Sequence, residues 1–197
     1  MVWPMYLLHQ VEEHGIDLTG QRYAFLGSLC DSLGYTATTL CPANPAFLFA
    51  VNVVGCQLAF ALAWIYRRRR PLVAACVWGI PVVNAVIHLQ AALVSGTYNP
   101  GLFTATLLFL PLSAYVLWVS IRAQVIRAVD LGRILGTGLV AHGVLLASLL
   151  LRGQQLIPES VFLSLNGLIG VLPLPFGCLG VRRLPVQSSQ AVPVRLH

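Results

Sequence analysis

The chain has 197 residues, of which 57% are apolar and only 9% charged, against roughly 25% charged in ordinary soluble domains. So few charges cannot clothe a water-facing surface, which excludes a soluble globular domain and leaves an all-α integral membrane helical bundle. The net charge of +6 comes from 12 arginines that lie mainly in short segments between apolar runs, a pattern suited to lipid headgroups and not to nucleic acid.

In chain order, Met1 to His14 is short for a membrane span. It lacks the basic start of a secretory signal peptide, and Glu12 and Glu13 stand where a cleavage site would need small residues. From Gly15 to Pro45 the chain is mixed, broken by Arg22 and Asp31, and reads as an interfacial segment or extended loop with a second short helix between Tyr23 and Leu40. Cys30 and Cys41 flank this segment and can pair if it faces an oxidising compartment. Five cysteines without a CxxC exclude a zinc ribbon, and Cys56, Cys76 and Cys178 read as small buried side chains within apolar runs.

Five apolar runs follow, at about Ala46–Tyr66, Leu72–Val94, Leu102–Ile121, Ile134–Leu151 and Val161–Gly180. At about 1.5 Å per residue each can cross a hydrocarbon core of ~30 Å, the fourth only just. Five full spans and a short N-terminal helix therefore form a single domain over residues 1–184, followed by a flexible tail over 185–197 that is rich in Pro, Ser and Gln.

Orientation follows from the arginines, which are retained in the cytoplasm. Arg67 to Arg70, then Arg122, Arg127 and Arg133, then Arg182, Arg183 and Arg195 all fall on one side, against Arg22 and Arg152 on the other. This predicts an integral membrane protein with a cytoplasmic C-terminus. No Walker-type loop or GxGxxG occurs, so no nucleotide cofactor is expected.

Polar groups within apolar helices are costly, and they mark candidate functional sites. His9, Glu12 and Glu13 are spaced i, i+3, i+4, which on a helix brings an imidazole and two carboxylates onto one face. His14 projects away from His9 and is left outside that group. Asn84 and His88 are again i, i+4, and the connection after them reads Tyr98-Asn-Pro-Gly101 with Thr104 entering the next span. Asn52, His142 and Asn166 complete a polar pocket with Thr104. With the arginine-derived orientation these groups share the outer half of the bundle, His142 lying nearest mid-depth.

The motifs His9-Gln-Val-Glu12-Glu13, Asn84-Ala-Val-Ile-His88 and Tyr98-Asn-Pro-Gly101-Leu-Phe-Thr104 together resemble the HXXEE-domain family of small bacterial membrane proteins. The resemblance runs from about His9 to Leu151 and implies a membrane-bound metal-dependent enzyme.

The residues support the same expectation. His9, His88 and one or both of Glu12 and Glu13 form a mixed nitrogen and oxygen set that suits zinc or non-haem iron, mononuclear and with open positions. A carboxylate not used as ligand serves as general base, Asn84 orients an imidazole or stabilises an oxyanion, and Tyr98 is a further catalytic candidate. The substrate expected is lipidic or otherwise apolar, entering between helices. Two alternatives remain open: a metal-free cyclase or isomerase in which Glu12 and Glu13 raise one another's pKa, and a proton-coupled transporter or binding protein.

Overall fold

The computed structural model describes residues 2–16, 19–20, 22, 24–35 and 40–178. The tail expected over 185–197 lies outside the described residues. Among the described residues the chain is 79% helical without a strand, which places it in the all-α class.

Seven helices follow one another. They are α1 (Val2–His14) and α2 (Ala24–Ser32), then α3 (Pro45–Tyr66), α4 (Pro71–Ser95), α5 (Leu102–Arg122), α6 (Ala128–Gly153) and α7 (Glu159–Cys178). The last five are long and apolar enough to cross a membrane. The spans agree with the apolar runs to within a residue or two, except α6. It begins six residues before Ile134, because Asp130 folds into its first turn, accepting from the Arg127 backbone N–H at 3.0 Å and pairing with Arg133 at 3.3 Å. Asp130 and Glu159, which precede the fourth and fifth apolar runs, thus open α6 and α7, where a carboxylate complements the helix dipole.

The short α1 contributes only about 20 Å of length. It inserts among α3, α4 and α5 at the end of the bundle opposite Arg67 to Arg70. Met5 packs with Ala85, Ala105 and Phe109, Tyr6 meets the Phe60 ring edge-on at 5.3 Å, and Trp3 Nε1 donates to Gln57 Oε1 at 2.7 Å. Nine of the thirteen α1 residues precede Val11, and those at its inner end are mainly apolar. His9, Glu12 and Glu13 lie toward its C-terminal end, and all three are buried.

Two widened turns, in which N–H groups reach back five residues, interrupt the spans at Phe49–Gly55 in α3 and Ala105–Phe109 in α5. Such turns rotate the helix face that follows them and recur at functional sites. The first contains Asn52 and the second follows Thr104 directly.

Small residues let the spans approach closely, as expected where no hydrophobic force drives helices together in lipid. At the crossing of α4 and α6, a Cβ on Gly79 would overlap the Ile134 carbonyl, and one on Gly138 would overlap the Gly79 carbonyl. Asn166 of α7 donates to Ser148 Oγ of α6 at 2.9 Å. A disulfide joins Cys30 to Cys41, fastening α2 to the strand of chain that enters α3. Cys76 is buried as expected, whereas Cys178, at the end of α7, is exposed.

Candidate metal centre

Three side chains from two helices converge on one point. The Nε2 of His9 and the Nε2 of His88 each lie 3.2 Å from Oε1 of Glu13, and the three atoms are all within 4.8 Å of one another. His9, Glu13 and His88 are 1%, 5% and 7% exposed, so water does not screen them.

The groups behind the rings fix which nitrogens carry protons. Thr104 has a single hydroxyl proton, and its Oγ1 lies 2.6 Å from Glu12 Oε2. A carboxylate takes that proton in preference to a neutral acceptor. His9 Nδ1, 2.8 Å from the same hydroxyl, must therefore donate to it. On α4, the Asn99 amide nitrogen donates to the His88 carbonyl at 3.0 Å, which turns Asn99 Oδ1 toward His88 Nδ1 at 2.6 Å. His88 Nδ1 therefore donates as well. Both rings, when neutral, present bare Nε2 lone pairs to a carboxylate that has only lone pairs to offer. His9 Nε2 has no hydrogen-bond partner at all.

Such a cluster demands positive charge at its centre, as protons or as a cation. Burial by itself would raise the Glu13 carboxyl, yet the two imidazoles beside it, once protonated, hold it well below the usual carboxylate range. The donor set fits a divalent metal: two imidazole nitrogens and one carboxylate oxygen, with each ring oriented from behind, as ligating histidines almost always are.

Glu12 is placed differently. Its Oε1 accepts from Tyr98 Oη at 2.7 Å and the Phe103 N–H at 3.0 Å, and its Oε2 from the Thr104 N–H at 2.8 Å and the Thr104 hydroxyl. All four acceptor sites are in use at the N-terminus of α5, where the helix dipole adds to them. Burial is outweighed by these donors, and Glu12 too is held below its ordinary range. It stands apart from the three converging atoms, as does Tyr98, whose hydroxyl is committed to Glu12.

Gly101 closes the back of the cluster. It sits at φ +95°, a conformation that side-chain-bearing residues rarely adopt. A Cβ there would lie 2.7 Å from Cε1 of His88, 2.8 Å from Cε1 of His9 and 3.0 Å from Cγ of Glu13. The Pro-Gly turn is thus the wall against which all three side chains rest.

The remaining polar residues separate by location. Asn52 accepts from Tyr6 Oη at 2.8 Å and its amide nitrogen lies 3.2 Å from His14 Nε2. His14 in turn is 3.6 Å from the second Glu13 oxygen, so it belongs at the edge of the cluster although the helical wheel sets it aside. Asn84 does not orient His88; that task falls to Asn99. Asn84 and His142 line a neighbouring cavity, whereas Asn166 lies outside it and spends its amide nitrogen on Ser148 and the Phe162 carbonyl, its Oδ1 being left without a partner.

That cavity, about 640 Å³, reaches the cluster directly: His9, Glu13 and His88 are in its wall and Glu12 is not. Elsewhere its lining is mainly apolar, with Met5, Phe47, Phe109, Leu146 and Ile169 among the residues that form it.

Asn99, Gly101 and His14 are the site residues that pattern reading passes over. Asn99 and Gly101 were visible in the Tyr-Asn-Pro-Gly stretch, but that stretch reads first as a turn.

Neither the curated proteins nor the solved structures gave a significant match. A family described as "Protein of unknown function with HXXEE motif" matches residues 1–116, a range that holds all three motifs and every residue of the converging cluster. The chain belongs to that HXXEE family.

Proposed function

We propose that the protein is a membrane-embedded metal-dependent enzyme that acts on an apolar or lipidic small molecule. One observation carries the reading: three lone-pair-bearing atoms, on His9, Glu13 and His88, converge in the wall of a largely apolar cavity, with both rings oriented by hydrogen bonds from behind. Three protein ligands leave positions open, which is the pattern of catalytic zinc and of two-histidine, one-carboxylate iron sites.

A cation held there supplies Lewis acidity toward water or affinity for dioxygen. The protein's own part is to hold two neutral imidazoles and one carboxylate ready, so that no reorganisation accompanies binding. Glu12 serves this indirectly. Through Thr104 it fixes the His9 tautomer, and through the Phe103 and Thr104 N–H groups it seats α1 on α5. The second oxygen of Glu13, with Gln10 Nε2 at 3.3 Å and His14 Nε2 at 3.6 Å, offers a place to hold a proton beside the open side.

The two carboxylates face different partners, Glu12 the start of α5 and Glu13 the two imidazoles. This favours the metal reading over an acid catalyst built from paired carboxylates.

The orientation proposed places the site in the outer half of a bacterial inner membrane with the C-terminus cytoplasmic. Besides the arginine asymmetry, the Cys30–Cys41 disulfide supports it, since this bond lies at the end of α3 opposite Arg67 to Arg70 and needs an oxidising compartment.

The test is elemental analysis of protein purified without added chelator, in wild type and in His9→Ala, Glu13→Gln and His88→Ala. Near-stoichiometric zinc or iron in wild type, lost in each variant, is the result expected. Wild type free of metal after reconstitution with both ions would refute it, and proton-coupled uptake by liposomes would then favour transport.

A further inference from the structure

We propose that the cavity takes a molecule bearing a hydroxyl group on an otherwise apolar body, which enters sideways between α4 and α6 and is held by Asn84 and His142. The inference deepens the function proposed above and rests on it for the chemistry served, although binding itself needs no metal.

The entrance follows from how α4 and α6 cross. They touch backbone to backbone at Gly79 and Gly138. Further toward the metal cluster the two helices border the cavity. There Val86 and Ile87 of α4 and Leu139 and Leu146 of α6 line the cavity while remaining exposed on the outer surface of the bundle. Residues that face both inside and outside mark a mouth, and this one opens toward hydrocarbon. Gly143 stands in it: a Cβ there would meet nothing within 4 Å.

Two polar groups sit just inside. His142 Nδ1 donates to the Gly138 carbonyl at 2.9 Å, which leaves Nε2 of the neutral ring as an acceptor. Asn84 Oδ1 is buried without a hydrogen-bond partner, an arrangement that costs stability unless a ligand relieves it. Asn84 is five residues beyond Gly79 and His142 four beyond Gly138, so parallel helices carry them to one level of the cavity.

Asn84 Oδ1 and His142 Nε2 are acceptors and the Asn84 amide N–H beside them is a donor, so the complementary group is one that gives a proton and also accepts one. A carboxylate or phosphate has no proton to give and finds no cation at that level. An ammonium would find no carboxylate at that level, since Glu13, the one acidic residue in the cavity wall, is already set between His9 and His88. An uncharged hydroxyl on a long hydrocarbon fits both: its one proton goes to Asn84 Oδ1 or His142 Nε2, its oxygen accepts from the Asn84 amide, and its chain lies along the apolar walls. Bound there, it lies one helical turn, about 6 Å, along α4 from His88, within reach of the converging ligands.

The test uses the full-length protein in detergent micelles and two photoactivatable probes, a long-chain primary alcohol and the alkane of equal length, each carrying a diazirine and an alkyne. Labelling is mapped by mass spectrometry. The alcohol is expected to label residues 83–91 and 139–146 roughly fivefold or more above the alkane, the worth of one net hydrogen bond. Asn84→Leu and His142→Phe should each lower the alcohol to the alkane's level and leave the alkane unchanged. Gly143→Trp should suppress both probes.

Equal labelling of wild type by the two probes would overturn the proposal, as would full labelling of Gly143→Trp. Competition by unlabelled hexadecanol against hexadecane gives the same comparison in wild type, without reliance on any variant's folding. Alcohol labelling that persists after metal is stripped by chelator upholds this proposal whatever elemental analysis says of the metal. Labelling lost on stripping would overturn it.

Discussion

Replacing Gly101 by alanine tests the architecture of the cluster most directly. The residue sits at φ +95°, where an L side chain costs about 1–3 kcal/mol. The new methyl would also stand 2.7 and 2.8 Å from the Cε1 atoms of His88 and His9, and relieving such overlap in a packed interior costs about 1–3 kcal/mol more. Together these give a loss of roughly 2–6 kcal/mol, with both rings displaced from Glu13.

Gly96 supplies the control. It also has positive φ, at +66°, but a Cβ there meets nothing within 4 Å. Gly96→Ala therefore incurs the backbone cost alone, about 1–2 kcal/mol. Thermal unfolding in detergent and metal content should be measured for both. Gly101→Ala is expected to unfold at clearly lower temperature than Gly96→Ala and to retain little metal, while Gly96→Ala keeps its full complement. Equal stability and equal metal content in the two variants would refute the claim that the turn braces the ligands.

Thr104→Val keeps the side chain's shape but removes the hydroxyl between Glu12 and His9; metal affinity measured by competition with a chelator should fall roughly 10–100-fold, with Thr104→Ser restoring most of it. Asn166→Leu, which breaks the bond from α7 to Ser148, should lower unfolding stability by about 1–3 kcal/mol yet leave metal content intact, since Asn166 lies outside the cavity wall. Acidification should release metal as protons compete for the two Nε2 atoms. Glu13 is already ionised well below the usual carboxylate range, so it adds no pH dependence above that range. Metal retention titrated against pH should consequently show two protons bound per ion released, and a single-proton transition in the carboxylate range would contradict the ligand set.

Much of this was legible in the sequence because membrane helices obey strong local rules. Apolar runs located four of the five spans to within two residues and missed only the first turns of α6, and the i, i+4 spacings of His9 with Glu13 and of Asn84 with His88 drew attention to the helices that meet. The limits of pattern reading show in particular residues. Glu12 and Glu13 are adjacent in sequence and both buried, and spacing alone cannot tell that one carboxylate ends on the N–H groups of α5 and the other between two imidazoles. Asn99 orients His88 across a turn eleven residues away, a relation with no period to detect. Gly101 reads as ordinary turn chemistry until the three side chains resting against it are known. The widened turns at Phe49–Gly55 and Ala105–Phe109 rotate their helices, and no feature of the apolar runs announces them.

Two of the three converging ligands ride on α1, the one helix of the bundle's inner face that is too short to hold a transmembrane position by itself. Of the three, the long apolar helices α3 to α7 carry only His88. The cluster is complete only where α1 sits against them, held by the four hydrogen bonds of Glu12. An ion seated there would act as a rivet as well as a reagent, and supply of that ion would govern how much of the newly made chain matures.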